Sequence, residues 1–211
     1  MLHTSFEGSE LEDPGLAPDP VCHERCVPME QAPDTPEEIT VDFEKGNPVA
    51  FNGKRLSPYE IIHALELAGG RNGVGRSDIV DNRYAGMILY KLHQDLEGLC
   101  LDRELLSIRD QLVVRYSEAV YNGYWYSPER EAMQAFMDKA QETVTGQVRA
   151  KLYKGGVWPL CRTSPYSLFN KNLATFEASN YDHHDAAGFI KLNSLRLVQY
   201  ANVKKHLQES K

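Results

Sequence analysis

Residues 38–44 run Glu-Ile-Thr-Val-Asp-Phe-Glu, with Ile39, Val41 and Phe43 alternating against Thr40, Asp42 and Glu44. A period of two belongs to a β-strand with one buried face, because successive side chains leave a pleated backbone on opposite sides. Lys45-Gly46-Asn47 supplies a turn into a partner strand from Pro48 to Phe51. A second alternation lies near the other end of the chain. Val148, Ala150 and Leu152 alternate with Gln147, Arg149 and Lys151, and Lys154-Gly155-Gly156 turns the chain into residues 157–162. Helical signals fill the span between. Ser57 followed by Pro58 and Glu60 is a capping box, and Ile61, Ala64, Leu65 and Ala68 recur at helical spacing until Gly69-Gly70. Residues 88–99 predict a second helix. Asp102 can cap a third, with Leu105, Ile108, Leu112, Tyr116 and Ala119 on one face. Ser127-Pro128-Glu129 opens a fourth whose Met133, Phe136, Met137 and Ala140 are expected inward, and YNGYWY covers the turn before it. A helix-prone stretch over 182–207 closes the chain. Strands at both ends with helices between define an α+β class: antiparallel strands and hairpins packed with several helices, and a C-terminal helix.

Outward from that framework, residues 8–37 hold six of the eleven prolines among acidic side chains and read as an extended arm lying over something else. The net charge of -7 is uneven: residues 1–45 carry -10 and the remainder +3. With no basic stripe interleaved with aromatics, backbone-driven nucleic-acid binding is not expected. No apolar run approaches the roughly 20 residues of a membrane span, and the start lacks the basic and apolar regions of a secretory signal, so a cytoplasmic location is expected. Cys22, Cys26, Cys100 and Cys161 are few and irregularly spaced, as free thiols in a reducing compartment would be. The expected organisation is an arm over 1–37, a main domain over 38–200 and a tail over 201–211.

Candidate chemistry is sparse. CHERC at 22–26 offers two thiols and a histidine but no second ligand pair to complete a zinc site, and exposed loop thiols are the expected reading. His183-His184-Asp185 precedes an apolar segment and reads as a helix start capped by Asp185. There is no G-x-S-x-G, no G-x-x-x-x-G-K-[ST], and Gly73-x-Gly75 is a fragment of a dinucleotide fingerprint without its strand-turn-helix setting. Arg76, Asp78, Asp81, Asn82 and Arg83 flank the apolar pair Ile79-Val80. If that pair is a buried strand, the polar groups sit at its mouth, where a carboxylate can receive an ammonium and an arginine a carboxylate. The alternative is a structural ion network among themselves.

Seven stretches add a different kind of information: LHTSFEGSELEDP at the start, NGVGRSDIVDNRYAG, LDRE at 101–104, YNGYWYSPERE, TGQVRAKLYKG, RTSPYSLFN and DAAGFIKLNSLRL. In this order and at similar separations they resemble the C-terminal synthetase half of argininosuccinate synthase, from residue 1 to about 200. The resemblance implies an ATP-dependent ligase that joins citrulline to aspartate through a citrullyl-adenylate, ATP being bound with Mg mainly by a separate N-terminal domain. It assigns Ser5 and Asp81 to citrulline and places Leu11 where the backbone meets the nucleotide; it assigns no catalytic side chain and no metal ligand. The family usually has glutamate where Asp81 stands, so the carboxylate is set back by one methylene, roughly 1.5 Å.

The resemblance also implies what these residues do not contain. The glycine-rich S-G-G-x-D-T-S loop for pyrophosphate belongs to the family's nucleotide-binding half, in a two-domain protein of about 400 residues. A loop of the form K-S-R-G-x-Y-E-T-P, which carries a citrulline-binding tyrosine, would fall between Met87 and Ile88, where this chain runs straight on. Two further expectations follow: the isolated chain is inactive as a ligase, and it forms a homo-oligomer or partners a nucleotide-binding half. The competing readings are a non-catalytic oligomerisation module related to that enzyme and, behind it, a small metal or thiol protein built on CHERC.

Overall fold

A computed structural model describes residues 2–76, 81–174, 182 and 184–209. It divides into two units, Met1–Leu168 and Phe169–Lys211. In the first, strands β1 (Thr4–Ser5), β2 (Glu37–Glu44), β3 (Asn47–Phe51) and β4 (Lys54–Arg55) precede helix α1 (Pro58–Arg71). Strand β5 (Asp81–Asn82) leads into helices α2 (Tyr84–Cys100), α3 (Arg103–Tyr121) and α4 (Pro128–Gln141). Strands β6 (Gly146–Tyr153) and β7 (Gly156–Thr163) complete it.

The main sheet has the order β4-β3-β2-β6-β7, every neighbour antiparallel. The EITVDFE alternation therefore sits at its centre. Glu37 to Phe43 pairs along β6 from Leu152 to Gly146, joining the strands that precede and follow the four helices. Three two-residue turns build the hairpins: Lys45-Gly46, Asn52-Gly53 and Lys154-Gly155, each with positive φ at both positions. That is the type I′ geometry whose twist matches the flanking strands, and glycine in its second place adopts it without penalty. Asn52-Gly53 is the strongest of these signals in the sequence, and it makes β4, a strand the periodicity does not predict.

Alternation decides the packing. Ile39, Val41 and Phe43 of β2 and Val148, Ala150 and Leu152 of β6 face Ile61, Leu65 and Ala68 of α1 and Ile88, Leu92 and Leu96 of α2 in one core. Helix α1 begins as its capping box prescribes: Ser57 Oγ accepts from Glu60 N, and Glu60 Oε2 accepts from Ser57 N. Ser127 and Asp102 cap α4 and α3 more simply, Ser127 accepting from Arg130 N and Asp102 from Glu104 N and Leu105 N.

Several expectations are revised. Helix α1 runs through Gly69-Gly70 to Arg71, and α2 starts at Tyr84 rather than at residue 88. The bare Gly70 lets the Arg25 carbonyl press against the helix, and Val27 N donates to Gly70 O at 3.0 Å. This contact tucks Cys22 and Cys26 into the interior, so the CHERC thiols are buried rather than exposed. On α3 only Ala119 is fully buried, and Ile108 of the expected inward face is exposed, because α3 packs chiefly on α4 and only lightly on α2.

Where the arm joins β2, burial alone would raise the Glu37 carboxyl, but hydrogen bonds from Arg71 and Asn72 and the Arg71 charge bring it below its ordinary value. A carboxyl depressed in the folded state stabilises above the unfolded value of about 4.3 and loses that contribution as pH falls through the folded value. Acid titration of the Glu37→Gln variant by chemical denaturation is therefore expected to show a shallower loss of stability below about pH 4.5 than the parent. Parallel curves for the two proteins exclude the linkage.

In the second unit, α5 (Lys171–Ala174) precedes α6 (Asp185–Glu209). At its entry Asp182, not Asp185, accepts from the His184 backbone and ring; His183 lies outside the described residues. No helix of the described residues is long and apolar enough to cross a membrane.

Candidate functional site

Strand β1 pairs antiparallel with β5, Thr4 opposite Asn82 and Ser5 opposite Asp81. That register brings Ser5 Oγ to Asp81 Oδ1, to which it donates at 2.8 Å across a separation of 76 residues. His3 Nε2 lies 3.2 Å from the same oxygen, and Arg83 Nη2 lies 3.8 Å from Oδ2. The hydrogen bond from Ser5 is the leading reason the Asp81 carboxyl is held below its ordinary value; partial desolvation opposes it, and His3 and Arg83 reinforce it. Asp81 is thus an anion at neutral pH, partly open to solvent. Such a group receives an ammonium or a polarised N–H.

One residue on, Asn82 is completely buried. Its Nδ2 donates to the Cys22 carbonyl at 2.9 Å, and its Oδ1 faces His23 Nδ1 at 2.7 Å. Because a carbonyl can only accept, Nδ2 must point at Cys22, which leaves Oδ1 as the acceptor and makes His23 Nδ1 the donor. Arg76 makes a backbone bridge to Asn82, and Gly75 O accepts from Arg83 N at 2.7 Å. Of the polar cluster in the sequence, Arg76, Asp81, Asn82 and Arg83 are therefore together. Asp78, Ile79 and Val80 lie outside the described residues.

Leu11 stands apart from that pair, on a short 3-10 turn. It borders a hollow of about 290 Å³ walled by Phe6, Glu7, Gly8, Asp19, Val21 and Cys22. Among the described residues no lysine or arginine lines it. An acidic, partly apolar wall suits a base or a ribose edge and repels a polyphosphate, so the residues fit one end of a nucleotide and not its charged tail.

Residues 1–200 match the model of the arginosuccinate synthase C-terminal domain. The chain belongs to the argininosuccinate synthase family. An argininosuccinate synthase of Nitratidesulfovibrio vulgaris is 58% identical over 214 residues, covering 95% of this chain and 53% of that protein. One from Oleidesulfovibrio alaskensis is 58% identical over 213 residues with the same coverage. One from Caulobacter vibrioides is 48% identical over 211 residues, covering 93% of this chain and 52% of that protein. The chain spans about half the length of the curated relatives it matches and corresponds to a C-terminal part of an argininosuccinate synthase.

His3 and His23 escape prediction from the sequence. Neither lies in a periodic element, and each acquires its partner only when segments about 60 or more residues apart are brought together. Among the described residues, no group of three or more histidine, cysteine, aspartate or glutamate side chains is arranged to hold a metal ion.

Proposed function

We propose that this chain supplies the citrulline-facing part of an ATP-dependent ligase that joins citrulline to aspartate through a citrullyl-adenylate in arginine biosynthesis. Ser5 and Asp81 contact citrulline, and the Leu11 turn borders the nucleotide. The observation that carries this reading is the 2.8 Å hydrogen bond between Ser5 and Asp81, two residues assigned to one substrate by sequence resemblance alone. The ionised Asp81 offers a polar end of citrulline a carboxylate, and Ser5 fixes one of its oxygens. Catalysis in such a reaction comes chiefly from positioning and charge stabilisation, which two separate halves can share.

The 211 residues contain no S-G-G-x-D-T-S run. Incubated alone with ATP-Mg, citrulline and aspartate, the purified chain is therefore expected to release no AMP, and AMP formation to require a nucleotide-binding half. Citrulline titrated into the isotope-labelled chain is expected to shift the Ser5 and Asp81 signals saturably, an effect that Asp81→Asn weakens about tenfold through loss of a charge-assisted hydrogen bond. Robust AMP release by the chain alone overturns the division of labour; absence of any saturable shift overturns the citrulline assignment. Tyr84–Cys100 is one continuous helix across the Met87–Ile88 junction. The loop that the resemblance places there has no room within it, and citrulline affinity below that of complete relatives is the corresponding expectation.

A second reading, self-association in the cytoplasm, is favoured by α6. Leu192, Leu195, Val198 and Leu207 are all exposed on a helix with no buried residue. Light scattering at micromolar concentration is expected to give a mass above 23.9 kDa, and a strict monomer excludes assembly.

A further inference from the structure

We propose that Asn82 and His23 are positioning residues: together they clamp the arm segment 19–23 to β5, and so set the geometry of the Ser5–Asp81 pair and of the hollow beside Leu11 at once. The inference rests on the assignment of those positions to substrate and adds the pair that aligns them.

Asn82 is the point where four segments meet. Its backbone pairs with Thr4 of β1 and bridges to Arg76, while its side chain spends a donor on Cys22 O and an acceptor on His23 Nδ1. Asn82 is 0% exposed and His23 7%, so water cannot replace these partners without opening the interface. The consequence is a shared constraint. Asp81 is the adjacent residue on β5, so a shift of the β5 backbone that lets Asn82 find new partners also carries Asp81 out of register with Ser5. The opposite end of the clamp, Cys22, belongs to the wall of the Leu11 hollow with Asp19 and Val21. Asp19 in turn folds that wall by accepting from Val21 N at 2.8 Å. Neither Asn82 nor His23 is needed to touch a substrate. Their role is to hold the residues that do, and a buried amide able to donate and accept at once is the side chain for it.

The test uses the full chain and three variants, Asn82→Ala, His23→Leu and His23→Gln. Three readouts are followed: the imidazole tautomer of His23 by nitrogen chemical shift, the titration of the Asp81 carboxyl by carbon chemical shift, and citrulline binding. In the parent, His23 carries its proton on Nδ1 and Asp81 titrates below its ordinary value. Asn82→Ala is expected to release the tautomer, move the Asp81 titration upward as the Ser5 hydrogen bond is lost, and weaken citrulline about tenfold. His23→Leu keeps a folded interior of similar volume and gives the same shift of Asp81. His23→Gln, which can still donate to Asn82 Oδ1, restores the parental titration, a rescue that a merely space-filling role would not produce. If Asn82→Ala fails to fold, the His23 pair decides the question. Unchanged Asp81 titration in His23→Leu, or equal behaviour of His23→Leu and His23→Gln, overturns the clamp. If the parent binds no citrulline, the substrate assignment fails while the Asp81 and His23 signals still decide the positioning role.

Discussion

Arg109→Ala is expected to lower the stability of the chain by about 3–5 kcal/mol, a large share of what a domain of this size possesses. Arg109 Nη2 donates to Glu97 Oε2 at 2.8 Å, and Gln141 Nε2 donates to Glu97 Oε1 at 2.7 Å. The Glu97 side chain is only 2% exposed. Without Arg109 its charge keeps the Gln141 amide and a His93 nitrogen at 3.6 Å, but no guanidinium. The cost follows from leaving a carboxylate in the interior without its counter-ion, not from the strength of the pair itself. The double replacement Arg109→Met with Glu97→Leu is accordingly expected to fall within about 1 kcal/mol of the parent, since two apolar side chains of similar volume carry no desolvation penalty. Urea denaturation of the parent, Arg109→Ala and the double variant measures this. A single-mutant loss below about 1 kcal/mol excludes the buried-charge account. The same experiment reports on α3, whose one buried residue is Ala119 and which the Arg109–Glu97 ion pair joins to α2.

Gly75→Ala is expected to cost about 3 kcal/mol or more, combining backbone strain with overpacking. Gly75 has a φ of +138°, a region L side chains rarely enter, and a Cβ there would lie 2.5 Å from a ring carbon of Tyr84. Tyr84 is completely buried and cannot move aside. The damage is local as well as global, because Gly75 O accepts from Arg83 N and so fixes the residue that follows Asp81-Asn82. Loss of the Thr4–Asn82 pairing should appear as faster amide exchange at β1. Gly53→Ala is the control: its φ is +77° but nothing lies within 4 Å, so only the conformational penalty of about 1 kcal/mol applies. Equal effects at the two glycines exclude the steric argument at Gly75.

The contrast between those glycines shows how much of the molecule was legible in advance. At Gly53 the dipeptide Asn-Gly, passed over by a reading based on strand periodicity, forms its turn through chemistry confined to two residues. At Gly75 the reason for glycine is an aromatic ring nine residues on, which the G-x-G fragment in the sequence does not announce. The arm is similar. Its proline and acid content predict an extended strap, while the burial of Cys22, His23 and Cys26 depends on the missing Cβ of Gly70.

By itself the sequence determined the two alternating strands, the helix caps and two hairpin turns, because each depends on interactions within a few residues: the alternation of β2 and β6, the Ser57 capping box, the Asp102 and Ser127 caps, the Lys45-Gly46 and Lys154-Gly155 turns. It also determined the family, since collinear motifs are a property of the chain alone. The tertiary structure decided how the candidate site is assembled. Ser5 meets Asp81, His23 meets Asn82 and Arg109 meets Glu97 across separations of 76, 59 and 12 residues. Those pairings carry no local periodicity: they are set by the register of β1 on β5 and by where one core places its helices, which only the folded chain contains.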